Sequence, residues 1–204
     1  IACIAVVNCI YIALVAMVQK DLKYVVANSS ISHMGYVLIG LAAMNTLSLT
    51  GAAAQMFAHG IMSALFFALV GVLYNKTHSR MIADFGGLAH QLPRVATLFM
   101  MTGLASLGLP GFFNFVSEFL IFVGAFKVYP ILTTLTILAV VITAIYVLQV
   151  VAKIFFGPRN PRWDKLQDLK GIELLPFVML AGILLWLGIV PSTIVDILTV
   201  KGPL

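Results

Sequence analysis

Apolar residues in this chain come in long unbroken runs, with polar and charged residues gathered in the joints between them. A membrane-crossing helix needs about 20 mostly apolar residues. Six runs reach or approach that length: 1–18, 23–44, 50–74, 95–126, 131–156 and 174–198. The pattern predicts an all-α fold, a polytopic transmembrane helix bundle of about six spans forming one domain over 1–204. One run is too long for a straight helix. Residues 95–126 would extend about 48 Å, against a hydrocarbon core of about 30 Å. Its middle reads Ser106-Leu107-Gly108-Leu109-Pro110-Gly111. Pro110 removes a hydrogen-bond donor and crowds the preceding turn, and Gly108 and Gly111 loosen the same place. The length excess favours a true break, 95–107 and then 114–126, over a simple proline kink. Broken helices survive in a membrane where protein or a wet cavity satisfies the freed backbone groups, and they line transport sites.

Composition agrees and narrows the class. Apolar residues make up 62% and charged residues 9%, with a mean hydropathy of +1.10. A water-soluble, disordered, collagenous or disulfide-stapled chain is excluded. The chain opens on Ile1 inside an apolar run, without Met or a basic leader, so it reads as the later part of a longer polypeptide. The net charge of +5 has no basic, aromatic-interleaved stripe for nucleic acid. Its placement is more telling. Lys20, Lys23, Lys76, Arg80, Arg94, Arg159, Arg162, Lys165 and Lys170, with Lys153 near a span end, fall on one side. Only Lys127 and Lys201 fall on the other. This asymmetry puts the long loops in the cytoplasm or its organellar equivalent and the C-terminus on the outer, positive side.

Polar groups inside the spans carry the candidate chemistry. A charge at mid-bilayer costs at least about 2.5–3.5 kcal/mol on insertion scales and marks function by default. Glu118, just after the predicted break, is the acid well inside a span, with Asn114 one turn before it. It is a candidate to gain and lose a proton during turnover; a static structural Glu is the plainer alternative. His33 falls near the middle of the second span beside Ser29 and Ser32, with Asn28 continuing the polar run. Gln55, His59 and Ser63 form a polar stripe at helical spacing on the third. Histidine titrates near neutrality and shuttles protons, although a lone buried His is often a packing residue. Two midplane His and a midplane Glu on neighbouring spans favour a proton path.

The fifth span adds Tyr146, Gln149 and Lys153. Snorkelling to the interface accounts equally for Lys153, a topology-setting charge for Lys23, and a helix-to-helix hydrogen bond for Asn8. Cys3 and Cys9 read as small apolar fillers. The sequence carries no cysteine cluster, haem or zinc motif, and no G-x-G-x-x-G, Walker or G-x-S-x-G pattern. No catalytic, metal or cofactor site is therefore expected in the chain. The 157–173 loop, with Pro158, Arg159, Pro161, Arg162 and Trp163, reads as a docking segment or as a solvated connector anchored by Trp163.

Several stretches then carry a family resemblance. Asp21-Leu22-Lys23-Tyr24-Val25-Val26-Ala27-Asn28-Ser29-Ser30-Ile31-Ser32-His33-Met34-Gly35 resembles a signature of proton-conducting antiporter-like subunits. So do Gln55-Met56-Phe57-Ala58-His59-Gly60, Ala64-Leu65-Phe66-Phe67 and Gly86-Gly87-Leu88. The most telling is Leu107-Gly108-Leu109-Pro110-Gly111 leading to Asn114-Phe115-Val116-Ser117-Glu118-Phe119. Together they resemble the M-type (chain 4) antiporter-like membrane subunits of NADH:quinone oxidoreductase, respiratory complex I.

The resemblance implies the last six spans of a fourteen-helix subunit, translocating protons along a mid-membrane chain of titratable residues. Redox chemistry elsewhere would drive them, with NADH, FMN, Fe–S clusters and quinone in other subunits. The implied pathway residues are Glu118, His59 and His33, and the polar pattern of the spans adds Lys153 and Lys23 as candidates. Related subunits carry Lys at the position of Glu118, and the family usually has Tyr at the position of Asn28. The family's Glu–Lys pair and connecting Lys lie in earlier helices, so this chain alone is not expected to pump. The implied partners are the lipid bilayer and neighbouring antiporter-like and other membrane subunits. The implied location is a bacterial cell (inner) membrane, with an organellar inner membrane or thylakoid as alternatives. The same signatures occur in multisubunit cation/proton antiporters and in related hydrogenase and photosynthetic complexes, and a scaffold without a proton path is a further option.

Overall fold

The computed structural model describes residues 1–199, so Lys201 and the C-terminus lie outside the described residues. The elements are α1 (Ala2–Met17), α2 (Leu22–Ala43), α3 (Thr46–Thr77), α4 (Pro93–Ser106), α5 (Phe113–Phe126), α6 (Pro130–Phe155), α7 (Leu175–Ile189) and α8 (Ser192–Leu198). Local chemistry sets most of these limits. Asp21 caps α2 by accepting from the Lys23 amide at 2.8 Å. Met44, left-handed at φ 51°, ends it, and Asn45 starts α3 by accepting from the Ser48 amide at 3.0 Å. The second and third spans are thus joined by two residues.

The predicted break is present between α4 and α5, and its backbone is locally satisfied. Gly108, at φ 61°, donates to the Ala105 carbonyl at 3.1 Å, and Leu109 donates to the Leu104 carbonyl at 3.3 Å. This is a Schellman C-cap, which needs a left-handed residue where Gly108 stands. Phe113 opens α5 five residues after Gly108.

Two predicted spans differ in length from the structure. The third runs Thr46–Thr77 rather than 50–74, because helical hydrogen bonds continue past the apolar run until His78 turns left-handed at φ 54°. The sixth, predicted as 174–198, divides. Val190 precedes Pro191, a position where the helical region is disfavoured, and sits at φ −122°, ψ 67°, so α7 ends at Ile189 and α8 is a separate short helix.

Helix pairing follows side-chain size. The α1–α2, α2–α3, α3–α5 and α1–α6 pairs form the main contacts. A Cβ on Gly51 of α3 would stand 2.6 Å from the Ile121 amide nitrogen of α5, and one on Gly124 of α5 would stand 2.6 Å from that of Ser48. Only glycine lets these backbones meet so closely. Exposed apolar side chains such as Val178, Met179 and Trp186 on α7, and Val141 and Leu148 on α6, clothe the outside, as a lipid-facing bundle requires.

The charged loops gather at one end. Arg80 lies 3.3 Å from Asp21, and the Leu22 amide donates to the Arg80 carbonyl at 2.9 Å. The 157–173 loop is an intramolecular strap over the α3–α4 connection. Trp163 is buried against Phe85 and donates Nε1–H to the Asp84 carbonyl at 2.9 Å. Gln91 donates to Asp164 at 3.1 Å, and the Arg94 amide donates to Asp168 at 2.7 Å. Trp163→Phe keeps the ring and removes the donor. It is expected to lower the stability of the solubilised protein by about 1 kcal/mol, read as a lower midpoint in a denaturant titration.

Candidate functional site

Glu118 stands two turns into α5 and is 5% exposed, the only buried acid among the described residues. Its carboxylate lies against the turn that ends α4, where a Cβ on Gly108 would overlap Oε2. Gln55 of α3 donates Nε2–H to Glu118 Oε1 at 3.3 Å, and Ser117 donates to Gln55 Oε1. The break, α5 and the α3 stripe therefore meet at one carboxyl. The turn supplies the room, and adjacent residues of α5 supply the grip.

One turn along α3, His59 meets His33 of α2 with ring centroids 5.3 Å apart, edge to face. His33 also stacks on Tyr36 at 5.4 Å, and Tyr36 meets Phe122 of α5 edge-on. His59 Nε2 shares a hydrogen with Ser63 at 2.9 Å, and Ser63 reaches Ser30 of α2 at 3.2 Å. Both His33 ring nitrogens, His59 Nδ1, the Tyr36 hydroxyl and Asn114 Oδ1 are buried without a protein partner. Buried polar atoms are nearly always hydrogen-bonded, to protein or to water. Their gathering on α2, α3 and α5 makes this the polar seam of the bundle.

The remaining predicted residues lie elsewhere. Tyr146 of α6 donates to Ser29 at 2.8 Å, deep between α6 and α2. Gln149 and Lys153 are exposed and line, with Tyr146, Lys20 and Arg159, an open cleft of about 1040 Å³ at the loop end. Lys23 is exposed at the start of α2. Ser32 donates to the Cys9 carbonyl at 2.8 Å and Asn8 to the Ile31 carbonyl at 2.7 Å, so both clamp α1 to α2. Asn114 is buried but turns its amide toward Met62 Sδ at 3.7 Å rather than toward Glu118. Gly111 and Pro110 form the break beside Gly108.

Sequence reasoning passed over Ser117, Ser30 and Tyr36. Ser117 carried one signal, its adjacency to Glu118. Among the described residues, no group of three His, Cys, Asp or Glu side chains comes together. Cys3 is exposed and Cys9 is buried on α1.

A family model described as NADH:quinone oxidoreductase/Mrp antiporter, TM matches residues 1–143. NADH-quinone oxidoreductase subunit M of Rickettsia bellii is 39% identical, over 95% of this chain and 40% of that protein. F(420)H(2) dehydrogenase subunit M of Methanosarcina mazei is 37% identical, over 94% and 39%. A chain in the structure of respiratory complex I from Thermus thermophilus with bound NADH superposes with a TM-score of 0.88 at 32% identity, covering 96% of this chain and 42% of that one. The chain thus spans about 40% of the length of the curated relatives it matches.

Proposed function

This chain belongs to the NADH:quinone oxidoreductase/Mrp antiporter transmembrane family, and from that premise we propose that it forms part of a proton-translocating membrane subunit of an NADH:quinone oxidoreductase. The single observation that carries the reading is Glu118, a buried acid at a helix break, hydrogen-bonded to the polar stripe of α3. An ionised carboxyl in hydrocarbon surroundings is costly, so its charge state answers to the groups beside it. A proton is taken up and released at Glu118. His59, with Ser63 and Ser30, and His33 beside it extend the route along the seam between α2 and α3. Histidine suits this work because a neutral imidazole carries a hydrogen on one ring nitrogen and accepts one on the other, so it can take a proton on one side and give one from the other.

The α6 residues supply a second stretch toward the loop end. Lys153 and Gln149 stand at the cleft, and Tyr146 hands on to Ser29. NADH, flavin, Fe–S clusters and quinone belong, on this reading, to partner subunits, which supply the driving redox chemistry. The basic loops face the cytoplasm of a bacterial cell, by the asymmetry of Lys and Arg between the two ends.

The second reading, a subunit of a multisubunit cation/proton antiporter, is favoured by the breadth of the family itself. One experiment separates the two. The complex containing this chain is purified with its co-purifying subunits and sealed into vesicles. NADH plus a quinone is expected to drive proton movement without a sodium gradient. Exchange of sodium for protons with no response to NADH would establish the antiporter instead.

A further inference from the structure

Gln55 is gripped by two consecutive residues of α5, and the donors and acceptors in that grip are not interchangeable. An ionised carboxylate only accepts hydrogen bonds. With Glu118 ionised, the Gln55 amide must turn its NH₂ group to Oε1, as it does at 3.3 Å. Its carbonyl then faces Ser117, whose hydroxyl donates to it. A protonated Glu118 is different, because it has an O–H of its own to give.

We propose that Ser117 is a positioning residue that lets the Gln55 amide turn over when Glu118 takes up its proton. In the turned state the Glu118 O–H donates to the Gln55 carbonyl, and the Gln55 NH₂ donates to Ser117 Oγ. The Ser117 hydrogen then goes to the Asn114 carbonyl, 2.9 Å away, or the Phe113 carbonyl, 3.2 Å away. Each contact has one donor and one acceptor in both states, and no proton leaves Glu118 in the turn. The motion is small. The terminal torsion of Gln is broad and roughly two-fold, and a serine hydroxyl rotates freely on its own helix. Gln55 and Ser117 are both fully buried, so bulk solvent does not reach either half of the exchange.

The idea rests on the reading of Glu118 as a proton-exchanging group. Other buried titratable groups of the bundle are His33 and Tyr36 on α2, His59 on α3, Cys9 on α1 and Tyr146 on α6. On α4 the charged group is Arg94, at the far loop end, and α7 presents none. None of these lies in the Gln55–Ser117 grip.

The test uses the complete membrane complex carrying Ser117→Ala, Ser117→Thr or Glu118→Gln, with assembly checked on native gels. Ser117→Ala is expected to slow redox-driven proton translocation about three- to tenfold and to move its pH profile by about half a unit or more. Ser117→Thr, which keeps the hydroxyl, is expected to stay within about twofold of the unaltered complex with an unmoved profile. Infrared difference spectra of the unaltered complex, with glutamine isotopically labelled in its side-chain amide, supply a reading that needs no variant at this position. A labelled amide band is expected to change together with the carboxyl band across the titration. An assembled Ser117→Ala complex with an unmoved pH profile, or a silent amide band, overturns the role of Ser117. If Glu118→Gln abolishes translocation in the same preparations, the loss is confined to this proposal; if it does not, the reading of Glu118 fails as well.

Discussion

Glu118→Gln is expected to stop proton translocation while leaving the bundle assembled. Glutamine has nearly the same volume and shape as glutamate, and it fills the same buried place beside Gly108. Its carbonyl still accepts from Gln55, so the contact between α3 and α5 persists. What disappears is the one group there able to hold a proton and give it up. The expected loss is at least about a hundredfold, the scale on which removing a proton-transferring side chain slows an enzyme. Proton uptake by vesicles during a burst of NADH oxidation measures it, and native gels report assembly. A proton-to-electron ratio equal to that of the unaltered complex would sink the assignment.

Gly108→Ala reaches the same carboxyl from the other side. Gly108 sits at φ 61°, where a non-glycine residue costs roughly 1–2 kcal/mol. A Cβ there also overlaps Glu118 Oε2, so the carboxylate must leave its seat and weaken its hold on Gln55. Two penalties therefore fall on one methyl group. The expected result is a destabilisation of about 2 kcal/mol and a translocation rate down about tenfold or more. Gly60→Ala is the control, because a Cβ there meets nothing within 4 Å. Alanine inside a helix should be neutral or slightly stabilising at that position. Equal losses in the two variants would show that a general loosening of helices, and not the seat of Glu118, sets the rate.

The bundle was legible in the sequence because spans announce themselves by length and apolarity. The break was legible because Pro110, Gly108 and Gly111 interrupt a run too long to be one helix. His33, His59, Gln55 and Glu118 stood out as polar groups in apolar runs; the structure joins Gln55 to Glu118 and, one turn along α3, His59 to His33. Three features were hidden for identifiable reasons. The division at Val190–Pro191 lies inside continuous hydrophobic sequence, and hydropathy does not register a backbone torsion. The seating of Trp163 on Asp84 joins residues about eighty positions apart, which no local pattern encodes. Ser117 is the instructive case. Serines are common in transmembrane helices, and this one gains its meaning only from the helix opposite, where Gln55 shows it a carbonyl. Ser32, next to His33, stood out in the sequence and instead ties α2 to α1.

The glycine contacts between α3 and α5 carry a last consequence. Gly51 lies one turn before Gln55, and Ile121, which it touches, lies one turn after Glu118. Backbones in such close contact leave the two helices little freedom to slide or rotate past each other. A change of charge at Glu118 therefore has to be absorbed by turning dipoles at a fixed separation, the amide of Gln55 and the hydroxyl of Ser117, and not by moving helices. A stiff frame with a few rotatable polar ends responds at the speed of side chains, and it hands the next proton-binding group a changed electric field before any backbone has moved.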